Sequence, residues 1–415
     1  MDENDKRLQS LESVADKEIE NIRDWIIETR RKVHADPELA FEEKDTSELV
    51  KYTLQEAGWE IRPNSGNYGV MGVLHSRDNS GGKGKEYCVA FRADMDALPI
   101  QEDTGVSYAS RNPGKMHACG HDNHIAVALG IARVLAKLRG EWNGTVKLIF
   151  EPAEETGEGA SLMIKGGAFE NPKVDSIINL AVGTSISEGQ FRLIEGLAMP
   201  QIDMFDINVE GESSHGGEPH RGIDAIVLAS EIVLVLQRVV SREVSVADPV
   251  ILNVYQISGG HPDGIIPDHV TLKCTLRSFT ESARANALNR VRRAVKGVAE
   301  SYGGKAAVEI SKEAEFPVGS HDPAITRLVA EVASEVVGKK NVIYETKPDW
   351  GGDSFACYTQ YAPGSFVWIG VRNEKEGRIY PVHHPKFNVN DQILPNAVKV
   401  GCHVAFRILA GKLVS

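Results

Sequence analysis

Hydrophobic and polar positions change their period several times along the chain, and each change predicts an element. Residues 20–58 carry two helical stretches separated by the irregular link HADPELAFEE. Short apolar runs at 69–75 (GVMGVLH) and 86–92 (EYCVAFR) read as strands, with the loop SRDNSGGKGK between them. From His121, the segment HIAVALGIARVLAKL sets Ile125, Leu129 and Leu135 at near-helical spacing, and Arg139-Gly140 supplies a stop. The run TVKLIF (145–150) predicts a strand that feeds directly into EPAEETGEGA. Strands alternating with helices predict an α/β sheet, where ligand groups collect at the C-terminal ends of strands.

The texture changes near residue 200. From there to about 315 the pattern predicts strand (MFDINVE), helix (DAIVLASEIVLVLQRVV), strand (PVILNVYQISGG), strand (HVTLKCTLRSF), helix (ESARANALNRVRRAVKGVAESYG) and strand (AAVEISK). That βαββαβ order is a compact unit able to stand as an inserted domain. A helix at 323–337, a strand near FVWIG and a last helix after Asp391 return to the first domain, which gives boundaries of 1–198, 199–315 and 316–415. No internal repeat is visible.

A chain of 415 residues exceeds what one hydrophobic core usually serves, in keeping with two domains. No run approaches the roughly eighteen apolar residues of a membrane span, and the charged start MDENDKRLQSLESVADKEIENIRDW does not read as a signal peptide. A cytoplasmic protein without membrane association is therefore expected. The net charge of −12 argues against a broad nucleic-acid surface and leaves a small-molecule substrate open. Five widely spaced cysteines disfavour a disulfide framework. Four of them sit in apolar strings; Cys119 has histidines and an aspartate as neighbours.

That exception leads to the chemistry. In HACGHD, Cys119 and His121 are good ligands for a zinc-like ion, and Asp122 is a candidate to orient an imidazole from behind; the plain alternative is a polar turn with a helix cap. Glu154-Glu155, at the end of a buried-looking strand, suggest a division in which one carboxylate binds metal and the other serves as general base. A solvated charged loop is the bland reading. VHHPKF offers His383 or His384 as a late ligand, and SSHGGEPHRGID offers His215, whose neighbouring glycines allow close approach to a developing oxyanion. His124 and His220 read as helix-face or hydrogen-bonding histidines. No Ser-His-Asp arrangement or phosphate loop competes, and GGKGKEY lacks the dinucleotide spacing.

Seven ordered segments carry a resemblance: RRKVHADPELAFEE, FRADMDALPIQEDTG, MHACGHDNH, EPAEETGEGA, SHGGEPHRGIDAI, IIPDHVTLKCTLRSF and VHHPKF. Spanning nearly the whole chain, they resemble the aminoacylase and glutamate-carboxypeptidase superfamily of metallopeptidases, in particular its bacterial p-aminobenzoyl-glutamate and indole-acetyl-amino-acid amidohydrolases. The resemblance implies a catalytic domain with a central mixed sheet, interrupted by a lid that makes a homodimer or larger homo-oligomer. It implies one or two divalent ions, Mn²⁺ or Zn²⁺, held by Cys119, His121, Glu155 and His383, with Glu154 as general base. It further implies that His215 reaches the substrate carbonyl, from the same or a partner subunit. Arg277 and the glycines at 351–352, Gly352 among them, fall where substrate contacts are expected.

One position departs from the family. A histidine ligand in a segment like AVHIGT aligns with NLAVGT, which puts Ala181 at the ligand position. Either the alanine is an engineered removal of one ligand, or this is a divergent natural member with one ion rather than two. Coincident departures at Gly264-Ile265-Ile266 and Gly352-Asp353-Ser354-Phe355 favour divergence. The expected activity is hydrolysis of an N-acyl amino acid or of an aryl-amide of glutamate or aspartate. An outlier of the superfamily, 5-nitroanthranilate aminohydrolase, supplies the alternative of releasing ammonia from an aromatic ring. The third reading is a binding homologue without activity.

Overall fold

The computed structural model describes residues 3–63, 68–76 and 85–412. Residues 77–84, which include most of the expected loop SRDNSGGKGK and the start of GGKGKEY, lie outside the described residues. The chain forms two compact units: Met1–Ala198 with Ser320–Lys347 and Cys357–Ser415, and Met199–Gly319 with Pro348–Ala356.

The first unit opens with helices α1 (Glu3–Asn21), α2 (Arg23–Ala35) and α3 (Lys44–Glu56), then strands β1 (Glu60–Arg62), β2 (Val70–His75) and β3 (Cys88–Asp94). Helix α4 (His121–Lys137), β4 (Thr145–Glu151), α5 (Gly159–Lys165), β5 (Ser176–Ser187), β6 (Phe191–Ile194) and the short β7 (Gly196–Met199) follow. The second unit is built from β8 (Gln201–Glu210), α6 (Ala225–Arg238), β9 (Val250–Gly259), β10 (His269–Ser278), α7 (Glu281–Ser301) and β11 (Lys305–Phe316). After β12 (Gly319–His321) come α8 (Pro323–Val337), β13 (Val342–Glu345), α9 (Phe355–Tyr358), β14 (Gly364–Arg372) and α10 (Leu394–Leu409).

The first unit is a mixed α/β sheet in the order β1-β2-β4-β3-β5-β14-β6-β13. Its centre, β4-β3-β5-β14, is parallel. Helix α4 is apolar on nearly every side and buried from His121 to Leu135, apart from Arg133, as a helix enclosed by a sheet and other helices must be. It packs against β3, β5, α2 and α10. Strand β3 extends past the apolar run to Asp94; buried Arg92 pairs with Asp94 at 2.5 Å and with Glu151 at 2.7 Å, so neither carboxylate is buried without a cationic neighbour.

The second unit realises the βαββαβ order as an antiparallel sheet, β11-β8-β10-β9, with α6 and α7 packed on it. Asp224 caps α6, accepting from the amides of Ile226 and Val227, and Thr280 caps α7 through the amide of Ala283. Strand β9 is the edge of this sheet, with Tyr255 and Ile257 exposed.

Candidate metal centre

The centre is assembled at the C-terminal ends of β3 and β4 and the first turn of α4. Gly120 precedes α4 with φ +90, and a β-carbon there would lie 2.3 Å from Val182 Cγ2. Only glycine fits such a turn, and it sets Cys119 and His121 on either side of a tight approach to β5. The Glu154-Glu155 turn follows β4 after Ala153, itself at φ +51. Its geometry is held by buried Glu43, which accepts the Ala153 amide at 2.7 Å. His383, at φ +66, is tied by its amide to the Ala118 carbonyl at 2.8 Å, which brings the C-terminal loop to the same place.

Ligand-type atoms of Cys119, His121 and Glu155 lie within 4.8 Å of one another. His383 Nε2 is 3.3 Å from Glu155 Oε1, and His121 Nε2 is 3.9 Å from the same oxygen. Glu154 Oε2 stands 4.0 Å from His121 Nε2. Of the two neighbouring histidines, His383 meets Glu155, whereas His384 stacks on Tyr380 and accepts the Lys386 amide at 3.0 Å.

Asp96 organises the whole arrangement. Its carboxylate accepts the amides of Glu154 and Glu155, each at 3.0 Å, and its carbonyl takes the His121 Nδ1 proton at 2.8 Å. That last bond leaves His121 Nε2 as the nitrogen able to donate a lone pair. Asp122, expected to orient a ligand, does something else. It pairs with Arg30 and His34 at 2.7 and 2.8 Å, below the turn, because a buried guanidinium on α2 needs a carboxylate there.

The donor set fits a divalent transition ion. Burial, followed by the nearby Glu155 carboxylate, pushes the Cys119 thiol well above its ordinary range. Burial opposes charge on His121, yet Asp94 and Cys119 outweigh it and raise the imidazole well above its usual value. For Glu155, burial is outweighed by His383 and His121, which lower it. Glu155 Oε1 is buried and takes no hydrogen bond among the described residues. A positive charge placed among these groups would release the thiol and imidazole protons and satisfy the oxygen, which is what a zinc-like or manganese ion does.

Of the other residues singled out from the sequence, His215, His220, Arg277 and Gly352 belong to the second unit, and Ala181 and His124 to the first. His215 is exposed, and its Nδ1 accepts the Gly217 amide at 3.0 Å. His220 lies in an exposed turn. Arg277 donates to the Trp350 carbonyl at 2.7 Å and has no carboxylate partner among the described residues. At Gly352 a β-carbon would come within 2.3 Å of Ile202 Cδ1. Ala181 is buried in β5 beside Trp368 of β14. His124 keeps to hydrogen bonding, with Nδ1 on Asp94 at 2.6 Å and Nε2 accepting the Val182 amide at 2.9 Å.

Comparison with known proteins agrees with this architecture. The model of Peptidase family M20/M25/M40 matches residues 90–407. Thermostable carboxypeptidase 2 of Saccharolobus solfataricus is 37% identical over 380 residues, 91% of this chain and 93% of that protein. IAA-amino acid hydrolase ILR1-like 4 of Arabidopsis thaliana is 34% identical over 388 residues, 93% of this chain and 86% of its own. Among solved structures, the YXEP protein of Bacillus subtilis, described as a dinuclear metal binding peptidase, superposes with a TM-score of 0.77 at 29% identity, covering 94% of this chain and 99% of that one. The chain is a hydrolase and belongs to Peptidase family M20/M25/M40.

Proposed function

We propose that this protein is a metal-dependent amidohydrolase acting on an N-acyl amino acid or an aryl-amide of glutamate or aspartate. The observation that carries the reading is the position of Glu154, 4.0 Å from the ligand nitrogen of His121 and one residue from Glu155. Cys119, His121, Glu155 and His383 would hold the ion. Bound there, Mn²⁺ or Zn²⁺ supplies Lewis acidity and makes water acidic enough to attack near neutral pH. Glu154 takes the proton of the attacking water and delivers it to the leaving nitrogen as the C–N bond breaks. Asp96 keeps the Glu154 and Glu155 backbone in place through both transfers.

Substrate recognition is assigned to the second unit. With Nδ1 of His215 accepting from Gly217, the neutral ring carries its proton on Nε2, ready to donate to a carbonyl oxygen that gains charge. Arg277, half-buried and without a carboxylate partner among the described residues, suits the substrate's own carboxylate. The unpaired edge of β9, with exposed Tyr255, Ile257 and, on α6, Leu234, supports association of two copies through this unit. No described helix is long and apolar enough to cross a membrane, and every cysteine is free. Free cysteines suit a reducing compartment such as the cytoplasm.

The test is product identification by mass spectrometry after incubation with Mn²⁺ and p-aminobenzoyl-glutamate, indole-acetyl-aspartate, N-acetyl amino acids or 5-nitroanthranilate. A released amino acid is the expected result. Ammonia with a hydroxylated ring would replace this reading by an aromatic aminohydrolase, and no product with metal bound would leave a binding protein. Glu154→Ala is expected to abolish turnover while metal content stays unchanged; retained turnover removes Glu154 from the role of base.

A further inference from the structure

Among the described residues, the donor atoms around the centre are enough for one ion and too few for two. Asp94 lies 3.7 Å from His121 Nε2, and Asp94, His121 and His124 converge as a second group of ligand-type residues. That group is closed. One Asp94 oxygen is bound by Arg92 and the other by His124, and the second nitrogen of His124 is occupied by the Val182 amide. With Glu154 kept as base, Cys119, His121, Glu155 and His383 remain. Four side chains make one complete coordination sphere, whereas two ions ~3.5–4 Å apart would each be left with about two protein ligands.

The missing donor has a definite place. Asn179 of β5 is level with Arg92 of β3, and its amide oxygen meets that guanidinium at 3.3 Å. Ala181 lies two residues further along β5, on the same face as Asn179 and beyond the last pair with β3. Next to it, Val182 is pinned by His124 and lies against the Gly120 turn between Cys119 and His121. The position that borders the centre from β5 is thus fixed in space and carries a methyl group.

We infer that this chain holds a single divalent ion, and that Ala181 on β5 is the residue that keeps its centre mononuclear while the related YXEP protein is dinuclear. The inference rests on the proposed metal centre, and one experiment separates the failure of either. Protein stripped with a chelator is refilled with excess MnCl₂, freed of loose metal by gel filtration, and measured for manganese per chain and for its electron paramagnetic resonance. The wild type is expected to retain about one equivalent with the signal of an isolated ion. Ala181→His is expected to retain about two, with the signal of a coupled pair. Ala181→Cys offers a smaller donor if histidine disturbs the fold by circular dichroism. Two equivalents in the wild type would overturn the inference, as would folded donor variants that stay at one. No retained manganese in the wild type would overturn the metal centre itself.

Discussion

Two polar clusters flank the turn HACGHD, and they differ in how their charges are balanced. Below the turn, Arg30 pairs with Asp122 at 2.7 Å, and His34 bridges Asp122 and Glu102 at 2.8 and 3.2 Å. Every carboxylate there has a cationic neighbour, and Asp122 is held far below the ordinary carboxylate range because Arg30 and His34 outweigh burial. Above the turn, Cys119, Glu155, His121 and His383 face one another without an arginine or lysine among them. Residue types alone do not separate a structural knot from a ligand site, since both contain histidine and carboxylate. Internal charge balance does: the lower cluster is complete, and the upper one would be completed by a cation.

The largest expected effect lies in the complete cluster. Asp122→Asn leaves a buried guanidinium without its counter-charge and should cost about 3–5 kcal/mol of stability, read from the denaturant midpoint. If the midpoint barely moves while metal is lost, Asp122 belongs to the centre after all. A smaller effect is expected at Glu43, a buried carboxylate with no arginine or lysine against it among the described residues, whose burial raises it to about 7. Because its folded value lies above its unfolded one, its contribution to stability is present below about pH 4.5 and is lost as pH rises towards 7. Glu43→Gln keeps the acceptor for Ala153 and cannot ionise. It should be more stable than wild type by roughly 1–3 kcal/mol at pH 8 and equal to it at pH 4, compared by thermal melts at both pH values. A constant difference across that range would discard the ionisation argument. The smallest effect belongs to Asp96, which touches the ligands only from behind. Asp96→Asn should weaken manganese affinity by about 10–100-fold in a chelator competition, with the global fold retained.

Local patterns made parts of this molecule legible in the sequence. Helix α4 announced itself by an apolar run too long for a strand, and the second unit by alternating runs cut at regular intervals. The candidates Cys119, His121, Glu155 and His383, which the structure gathers, each sit in a short motif, and the choice of His383 over His384 came from the family resemblance. Asp96 was not legible, although FRADMDALP was conspicuous, because its role depends on amides nearly sixty residues away. Asp122 was misjudged for the same reason: its partners are on α2, and adjacency to His121 suggested a contact that does not form. Strand β5 escaped because it is buried on both faces over its first eight residues and so lacks alternation. Likewise, Pro348–Ala356 joins the second unit through packing such as that of Gly352 on Ile202, which no periodicity announces.

His383 gives the centre a direction in time as well as in space. The other three proposed ligands are encoded by residue 155, but this one arrives only when translation has passed residue 383. A nascent or truncated chain would therefore have an open, weakly binding half-site, and firm retention of the ion would report that the C-terminal loop has docked on Ala118. His383 is also half-exposed, unlike buried His121, so the last ligand made stands at the solvent side, where an ion enters or is withdrawn.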